Sequence, residues 1–339
     1  MSGPLVTVLM PTRNAAETIE DAVESIQAQT LSAWELTAVD DGSTDGTIEI
    51  LRSAAARDPR IRVFSNPGRG IVAALNFGLR QARGRLIARM DADDQALPER
   101  LARQAAWLKS RPGTGAVGCR VRYGGDARRA RGLALYVAWS NRLTAAEDIL
   151  RERFVESPLV HPSVMFRREL IESCGAYAAG DFPEDYELWL RWMAAGVRIE
   201  KVPEALLVWN DRQERLSRSD ARYRSEAFFR LKARYLAPIA RKAAAGGREI
   251  WIWGAGRLAR RRAAMLEAEG VPIAGYVDVD PRKIGHRIRG RPVVGPEELP
   301  EPSRALAISY VAKRGARQDI RNLLTAKGFC EARDFWMAA

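Results

Sequence analysis

Three carboxylates, Asp91, Asp93 and Asp94, follow the apolar run 86–90, and a helix is expected to start at Pro98 just beyond them. Aspartates two apart in the turn after a strand can point oxygen ligands into one small volume. A hard divalent cation needs that arrangement, and Mg²⁺ sites that also hold a substrate phosphate commonly use one or two carboxylates. The plainer role for Asp93 or Asp94 is to help start the next helix. Two other polar loops have the same setting: Thr12 follows the apolar run 6–10, and Asp40 and Asp41 follow the run 34–39. In open α/β sheets ligands bind in the crevice outside the carboxyl ends of the strands. Connections between parallel strands are overwhelmingly right-handed, so these three loops should emerge on one edge of a sheet. Three polar loops on one rim point to a binding site.

The elements that must place these groups alternate strand and helix over the first ~120 residues, with lengths typical of a parallel sheet wrapped by helices. Asn14, with Glu17 three residues on, reads as a capping box, and Ile19, Val23 and Ile26 recur at helical spacing behind it. A second helix is expected over 48–56, a third strand over 61–64, and a third helix from the loop Asn66-Pro-Gly-Arg-Gly70 to about Gln81. Strands are also expected over 86–90 and 116–121, and the arginine-rich stretch 124–156 reads as irregular. Further on, a helix over 186–195 ends at Gly196, and strands follow over 197–201 and 205–209.

At 339 residues the chain should hold two domains, divided as 1–219, a basic linking helix 220–245, and 246–339. Apolar content of 47% supports real cores, and no apolar run approaches the ~20 residues of a membrane helix. The start, Met1-Ser-Gly-Pro-Leu-Val, lacks a basic lead and is broken by proline, so no secretory signal is expected. Isolated Cys119, Cys174 and Cys330 suit a reducing cytoplasm better than disulfides or zinc. A net charge of +12 invites an anionic partner. Nucleic acid is not expected, for want of a recognisable module. The helix 220–245 interleaves arginine with Tyr223, Phe228, Phe229 and Tyr235, which suits either packing on its own domain or peripheral contact with an anionic membrane.

The carboxyl-terminal part has its own signature. Glu249-Ile-Trp-Ile-Trp253 reads as a strand, Gly254-Ala-Gly256-Arg-Leu-Ala259 opens a helix, and Tyr276-Val-Asp278 ends the next strand. This is the G-x-G-x-x-A form of a dinucleotide fingerprint, with an acid roughly 20 residues on. Gly254 shapes the turn, and Gly256 would let backbone approach the phosphate of a nucleotide or dinucleotide. The alternative is a tight strand-to-helix turn with no ligand.

Taken together, Val-Thr-Val-Leu-Met-Pro-Thr-Arg-Asn14, Val39-Asp-Asp-Gly-Ser-Thr-Asp45, Ala73-Ala-Leu-Asn76, Met90-Asp-Ala-Asp-Asp94 and Glu184-Asp185-Tyr-Glu-Leu-Trp-Leu-Arg191 resemble glycosyltransferase family 2. The likeness spans about residues 5–235, and the family's enzymes are inverting and of the GT-A fold. It implies an α/β protein with a mostly parallel sheet flanked by helices; the tail resembles, more weakly, the small Rossmann-like modules appended to sugar-modifying enzymes. By this resemblance Thr12 and Asp41, with Asp40, would hold the nucleoside, UDP being the expected carrier, since a carboxylate can accept from a ring N–H. Asp91 would lie near the ribose, Asp93 would coordinate Mn²⁺ or Mg²⁺ bridging the diphosphate, and Arg69 would add a phosphate contact. Asp185 would be the base that takes the acceptor's proton as its hydroxyl attacks. The helix dipole there favours the ionised form and burial opposes it. Many relatives carry a histidine where this chain has Asp211, which leaves the metal's third protein ligand open. The resemblance implies a nucleotide-sugar donor and a glycan or lipid-linked acceptor in surface-polysaccharide assembly, at a cytoplasmic site near the inner membrane face. The competing readings are a sugar nucleotidyltransferase, which should show a glycine-rich basic loop where Pro11-Thr-Arg-Asn14 stands, and a non-catalytic nucleotide-sugar scaffold or sensor.

Overall fold

The computed structural model describes residues 3–212, 215–313 and 315–339. Its chain divides into two units: Met1–Ile149 with Pro158–Gly180 and Glu184–Ser219, and Leu150–Ser157 with Asp181–Pro183 and Asp220–Ala339. The helix expected as a linker thus belongs to the second unit, together with two short stretches that the sequence pattern leaves in the first.

In the first unit the apolar runs become strands β1 (Val6–Thr12), β2 (Trp34–Asp40), β3 (Ile61–Ser65), β4 (Leu86–Arg89), β5 (Gln95–Ala96), β6 (Thr114–Tyr123), β7 (Met165–Arg167) and β8 (Arg198–Trp209). They form one sheet in the order β3-β2-β1-β4-β7-β6-β8-β5. β3, β2, β1 and β4 are parallel neighbours, β6 runs parallel to β8, and β7 lies antiparallel between β4 and β6. This is the mostly parallel α/β sheet flanked by helices that the pattern implies. β1 and β2 are buried on both faces, as their near-continuous apolar runs require. Register puts Thr12 beside Asp40 and Leu9 beside Arg89, so the loops after β1, β2 and β4 leave the sheet on one edge.

Four expectations are corrected. The capping box does not form: the first helix is Ile19–Gln27, its N-cap is Thr18, and Asn14 sits at φ 48°. Asn14 instead ties two loops together, its Oδ1 accepting from Thr44 N at 2.9 Å and its own N–H donating to Ser43 Oγ at 3.0 Å. The stretch read as irregular contains helices Arg131–Ser140 and Ala146–Glu152. The two strands expected after Gly196 are one, because β8 absorbs Pro203-Glu204 as a shift in register between Val202 and Ala205. Finally, the long helix begins at Ser225, since Asp220 caps a separate short turn by accepting from Arg222 N.

The second unit has strands β9 (Glu249–Trp253), β10 (Ile273–Val277), β11 (Arg287–Ile288), β12 (Arg291–Val294), β13 (Ala305–Ser309) and β14 (Phe335–Met337), in the order β11-β12-β10-β9-β13-β14. All neighbours are parallel except the hairpin β11–β12. The helix Ser225–Ala245 buries Ala227, Leu231, Leu236 and Ala240, so its apolar face packs inside this unit. Among the described residues no helix is long and apolar enough to cross a membrane.

Candidate active site

The edge at β1 and β2 is built from backbone and short side chains. Thr12 is buried, its carbonyl accepts from Asp41 N at 2.8 Å, and its hydroxyl lies 3.5 Å from Val39 O. Asp40 turns its carboxylate onto its own loop, accepting from Gly42 N and Ser43 N at 3.2 Å and from the Ser43 hydroxyl at 2.5 Å. Asp41 faces outward to the next loop, accepting from Asn66 Nδ2 at 2.6 Å and Gly70 N at 3.0 Å. Gly70 takes φ +85°, which a side chain would resist, and this lets the loop close on Asp41 before the helix Ile71–Gln81 starts. Arg69 stands exposed on that loop.

The turn after β4 collects the acids. Oxygens of Asp91, Asp93 and Asp94 lie within 4.8 Å of one another. Short β5 makes this possible by pairing Gln95 with Val208 and Ala96 with Leu207, which brings the end of β8 beside the turn. Asn210 then donates its N–H to Asp94 Oδ1 at 2.9 Å and its side-chain amide to Asp93 O at 2.8 Å. Asp94 Oδ2 is buried with no hydrogen-bond partner. Burial, and then the neighbouring Asp91, push Asp93 up to about 6, and the same causes hold Asp94 well above the ordinary carboxylate range. Clustered carboxylates with a buried, unpartnered oxygen are what a divalent cation stabilises, so this donor set fits Mn²⁺ or Mg²⁺. Asp94, which sequence reasoning left at the helix start, is brought into the same donor set as Asp91 and Asp93. Asp211, at the position of the relatives' histidine, is instead engaged by Tyr123 Oη at 2.7 Å and Arg218 at 2.7 Å.

One side chain links Asp185 to this turn through its charge. Arg89, at the end of β4, is 1% exposed; it is ion-paired with Asp91, and its charge bears on both Asp93 and Asp185. Asp185 opens the helix Glu184–Ala194 and is half-buried. Burial, and then the adjacent Glu184, push its carboxyl up to about 7, against the Tyr186 N–H and Arg89, which favour ionisation. Burial thus outweighs the helix terminus. Tyr177 and His161 stand beside this group, Tyr177 Oη lying 2.8 Å from His161 Nε2. His161 also packs edge-on against Trp189, and burial together with Arg89 keeps its imidazole neutral. Asn76, from one of the motifs, holds Tyr177 by its backbone, donating to its carbonyl at 2.8 Å and accepting from its N–H at 3.1 Å. Sequence reasoning missed Arg89 and Tyr177; the only trace of Arg89 is a charge inside an otherwise apolar strand.

Gly254 and Gly256 lie in the second unit and form no part of this cleft's unit. Gly254 takes φ +105°, and a Cβ there would meet Val311 at 2.9 Å. Asp278, the acid of the fingerprint, accepts from Ala255 N at 2.8 Å and Lys283 Nζ at 3.0 Å, so it clasps the glycine loop from within the fold.

The model of the family described as Glycosyl transferase family 2 matches residues 7–175. The chain is similar to the amylovoran biosynthesis glycosyltransferase AmsE of Erwinia amylovora, 30% identical over 203 residues, which is 60% of this chain and 74% of that protein. Among solved structures it is similar to the mannosyltransferase PcManGT from Pyrobaculum calidifontis, in complex with GDP-Man and Mn²⁺. That match has 26% identity and a TM-score of 0.51, and covers 72% of this chain and 65% of the other. TarS 1-349 of S. aureus, in complex with UDP-GlcNAc, shares the fold with 20% identity and a TM-score of 0.56, over 78% of this chain and 71% of the other.

Proposed function

The chain belongs to glycosyltransferase family 2, and on that footing we propose that it transfers a sugar from a nucleoside-diphosphate donor to a hydroxyl of a glycan or lipid-linked acceptor, with inversion, in surface-polysaccharide assembly. The observation that supports this most is the acid cluster after β4, with Arg89 ion-paired to Asp91 and its charge favouring the ionised form of Asp185 as well.

Thr12 and Asp41 would bound the nucleoside, Asp41 accepting from a ring N–H. That contact suits the uracil of UDP, the expected carrier, and the N–H of guanine equally, so the base is settled by the rest of the pocket. Asp40, occupied by its own turn, shapes the loop that presents Asp41. Asp93 and Asp94 would hold Mn²⁺ or Mg²⁺, with Asp91 steered by Arg89 at their side. A cation there neutralises charge developing on the departing diphosphate. Arg69, exposed on the loop that meets Asp41, would add a phosphate contact. Asp185 would take the proton of the attacking hydroxyl, and a carboxyl titrating near 7 is a stronger base than an ordinary one while still ionised in useful fraction at neutral pH. The test is a thermal-shift screen of UDP, GDP and their sugars with and without Mn²⁺. A rise confined to one nucleotide series and dependent on Mn²⁺ supports the reading; no rise with any of them rejects it.

Two finer parts belong to the same proposal. A nucleotide or dinucleotide would approach the Gly254–Gly256 backbone, with Lys283 drawn off Asp278 to free it for the ribose; NAD⁺ titrated against Asp93→Ala isolates that site from the cleft. Peripheral contact with anionic membrane would fall to the arginine side of the helix Ser225–Ala245, since its apolar side is packed. Flotation with anionic vesicles tests it.

A further inference from the structure

The second unit carries a groove of about 610 Å³ that no step above uses. One wall is the helix Ala316–Ala326, where Gln318, Arg321, Asn322 and Thr325 recur at i, i+3, i+4 and i+7 and so share one face. Arg151 and Glu152, at the end of the helix Ala146–Glu152, and Glu331 face it across the opening. Arg321 is braced between two carboxylates, donating to Glu152 Oε1 at 2.5 Å and to Glu331 Oε1 at 2.9 Å. Glu152 is 5% exposed, and its second oxygen, Oε2, is buried with no hydrogen-bond partner. A buried carboxylate oxygen left in that state is unfavourable, and a ligand or water that donates to it relieves the cost.

The lining narrows the ligand class. Two arginines oppose two glutamates, so a strongly charged molecule meets as much repulsion as attraction. Among the described lining residues Ala326 alone is apolar, so an apolar ligand has little to bury against. What remains is a neutral molecule dense in hydroxyls, each able to donate to a carboxylate and accept from a guanidinium or amide. The volume lies within the ~300–1,000 Å³ usual for small-molecule sites. We propose that this groove binds an uncharged sugar unit, with Glu152 Oε2 accepting from one hydroxyl and the Gln318–Asn322 pair engaging its neighbours. The source of that sugar, a glycan acceptor or product, rests on the transferase reading; the binding does not.

Saturation-transfer-difference NMR on the full chain, without nucleotide or metal, tests it with maltotriose, cellotriose and triacetylchitotriose as probes. Saturable signals are expected from at least one. The double variant Gln318→Ala/Asn322→Ala, at two exposed helix positions where alanine preserves the helix, should weaken binding tenfold or more at an unchanged melting temperature. Asp93→Ala should leave it intact. Silence from all three probes, or undiminished signals in the double variant, overturns the proposal. Loss in Asp93→Ala would assign the sugar to the acid cleft, overturning the groove while sparing the transferase reading.

Discussion

Replacing Asp185 by asparagine keeps the side chain's shape and removes its capacity to take a proton. A positioned general base contributes about 10²–10⁴-fold, or about 2.7–5.4 kcal/mol of barrier at 1.36 kcal/mol per decade. The pKa near 7 adds a sharper expectation. The ionised fraction is about one half at pH 7, about one tenth at pH 6 and about nine tenths at pH 8. Wild-type turnover should therefore rise close to tenfold per unit below pH 6, about fivefold between pH 6 and 7, and level off above pH 8. In Asp185→Asn both the level and this acid limb should go, while UDP or GDP binding with Mn²⁺ persists. Stability runs the other way. The folded carboxyl holds its proton up to about 7 against 3.8 in the unfolded chain, so the unfolded state releases it first and stability falls as pH rises through that window. The asparagine variant escapes this loss and should melt higher than wild type at pH 8. The assay is initial rate against pH for both proteins, with melting curves at pH 5 and pH 8. Turnover above a tenth of wild type, or an acid limb that survives the substitution, refutes Asp185 as the base.

Asp93→Ala should abolish Mn²⁺-dependent stabilisation by nucleotide and cut turnover at least a hundredfold, of the order of one charge-stabilising contact; excess EDTA should do the same to wild type, and activity that survives it rejects the metal role. Gly84→Ala should cost about 3 kcal/mol in a denaturant melt, because its Cβ would fall 2.5 Å from Thr7 N, where backbone cannot yield as a side chain can. Truncation after Ala245 should lower the melting temperature, since Phe154, 1% exposed and packed edge-on to Trp336 at 5.4 Å, would lose its cover, worth about 1.5–3 kcal/mol; a fragment as stable as the full chain would show that Phe154 finds another place. Asn14→Ala should destabilise by about 1–2 kcal/mol, losing the side-chain bond from Thr44 N at a left-handed position, and thermal melts report it directly.

Much of the fold was readable because its signals are local. Period-two and period-3.6 apolar patterns and Gly or Pro breaks act within a few residues, and they located most elements of the first unit within a residue or two. The errors arose where a distant partner overrode a local preference. Asn14 with Glu17 has the composition of a capping box, yet two bonds to the loop after β2 hold Asn14 in a left-handed turn instead. Pro203 looks like a strand end, yet pairing with β6 carries β8 through it. The stretch 150–157 carries no boundary signal, and long-range contacts attach it to the second unit, among them Phe154 against Trp336, Lys232 donating to Val155 O and Arg321 donating to Glu152.

The site divides the same way. Sequence alone determined the chemical cast, since a cluster of aspartates after a strand and an acid pair at a helix start are chain-local facts of type and spacing. Tertiary structure decided the roles. It closed Asp40 onto its own turn, left Asp41 facing the neighbouring loop, and buried Asp94 with an oxygen unpartnered. It also buried one guanidinium, Arg89, where it pairs with Asp91 and its charge is felt at Asp185, nearly a hundred residues on in sequence. The physical reason is range: backbone preference is fixed by neighbours along the chain, whereas desolvation and charge–charge coupling depend on what folding brings within a few ångströms.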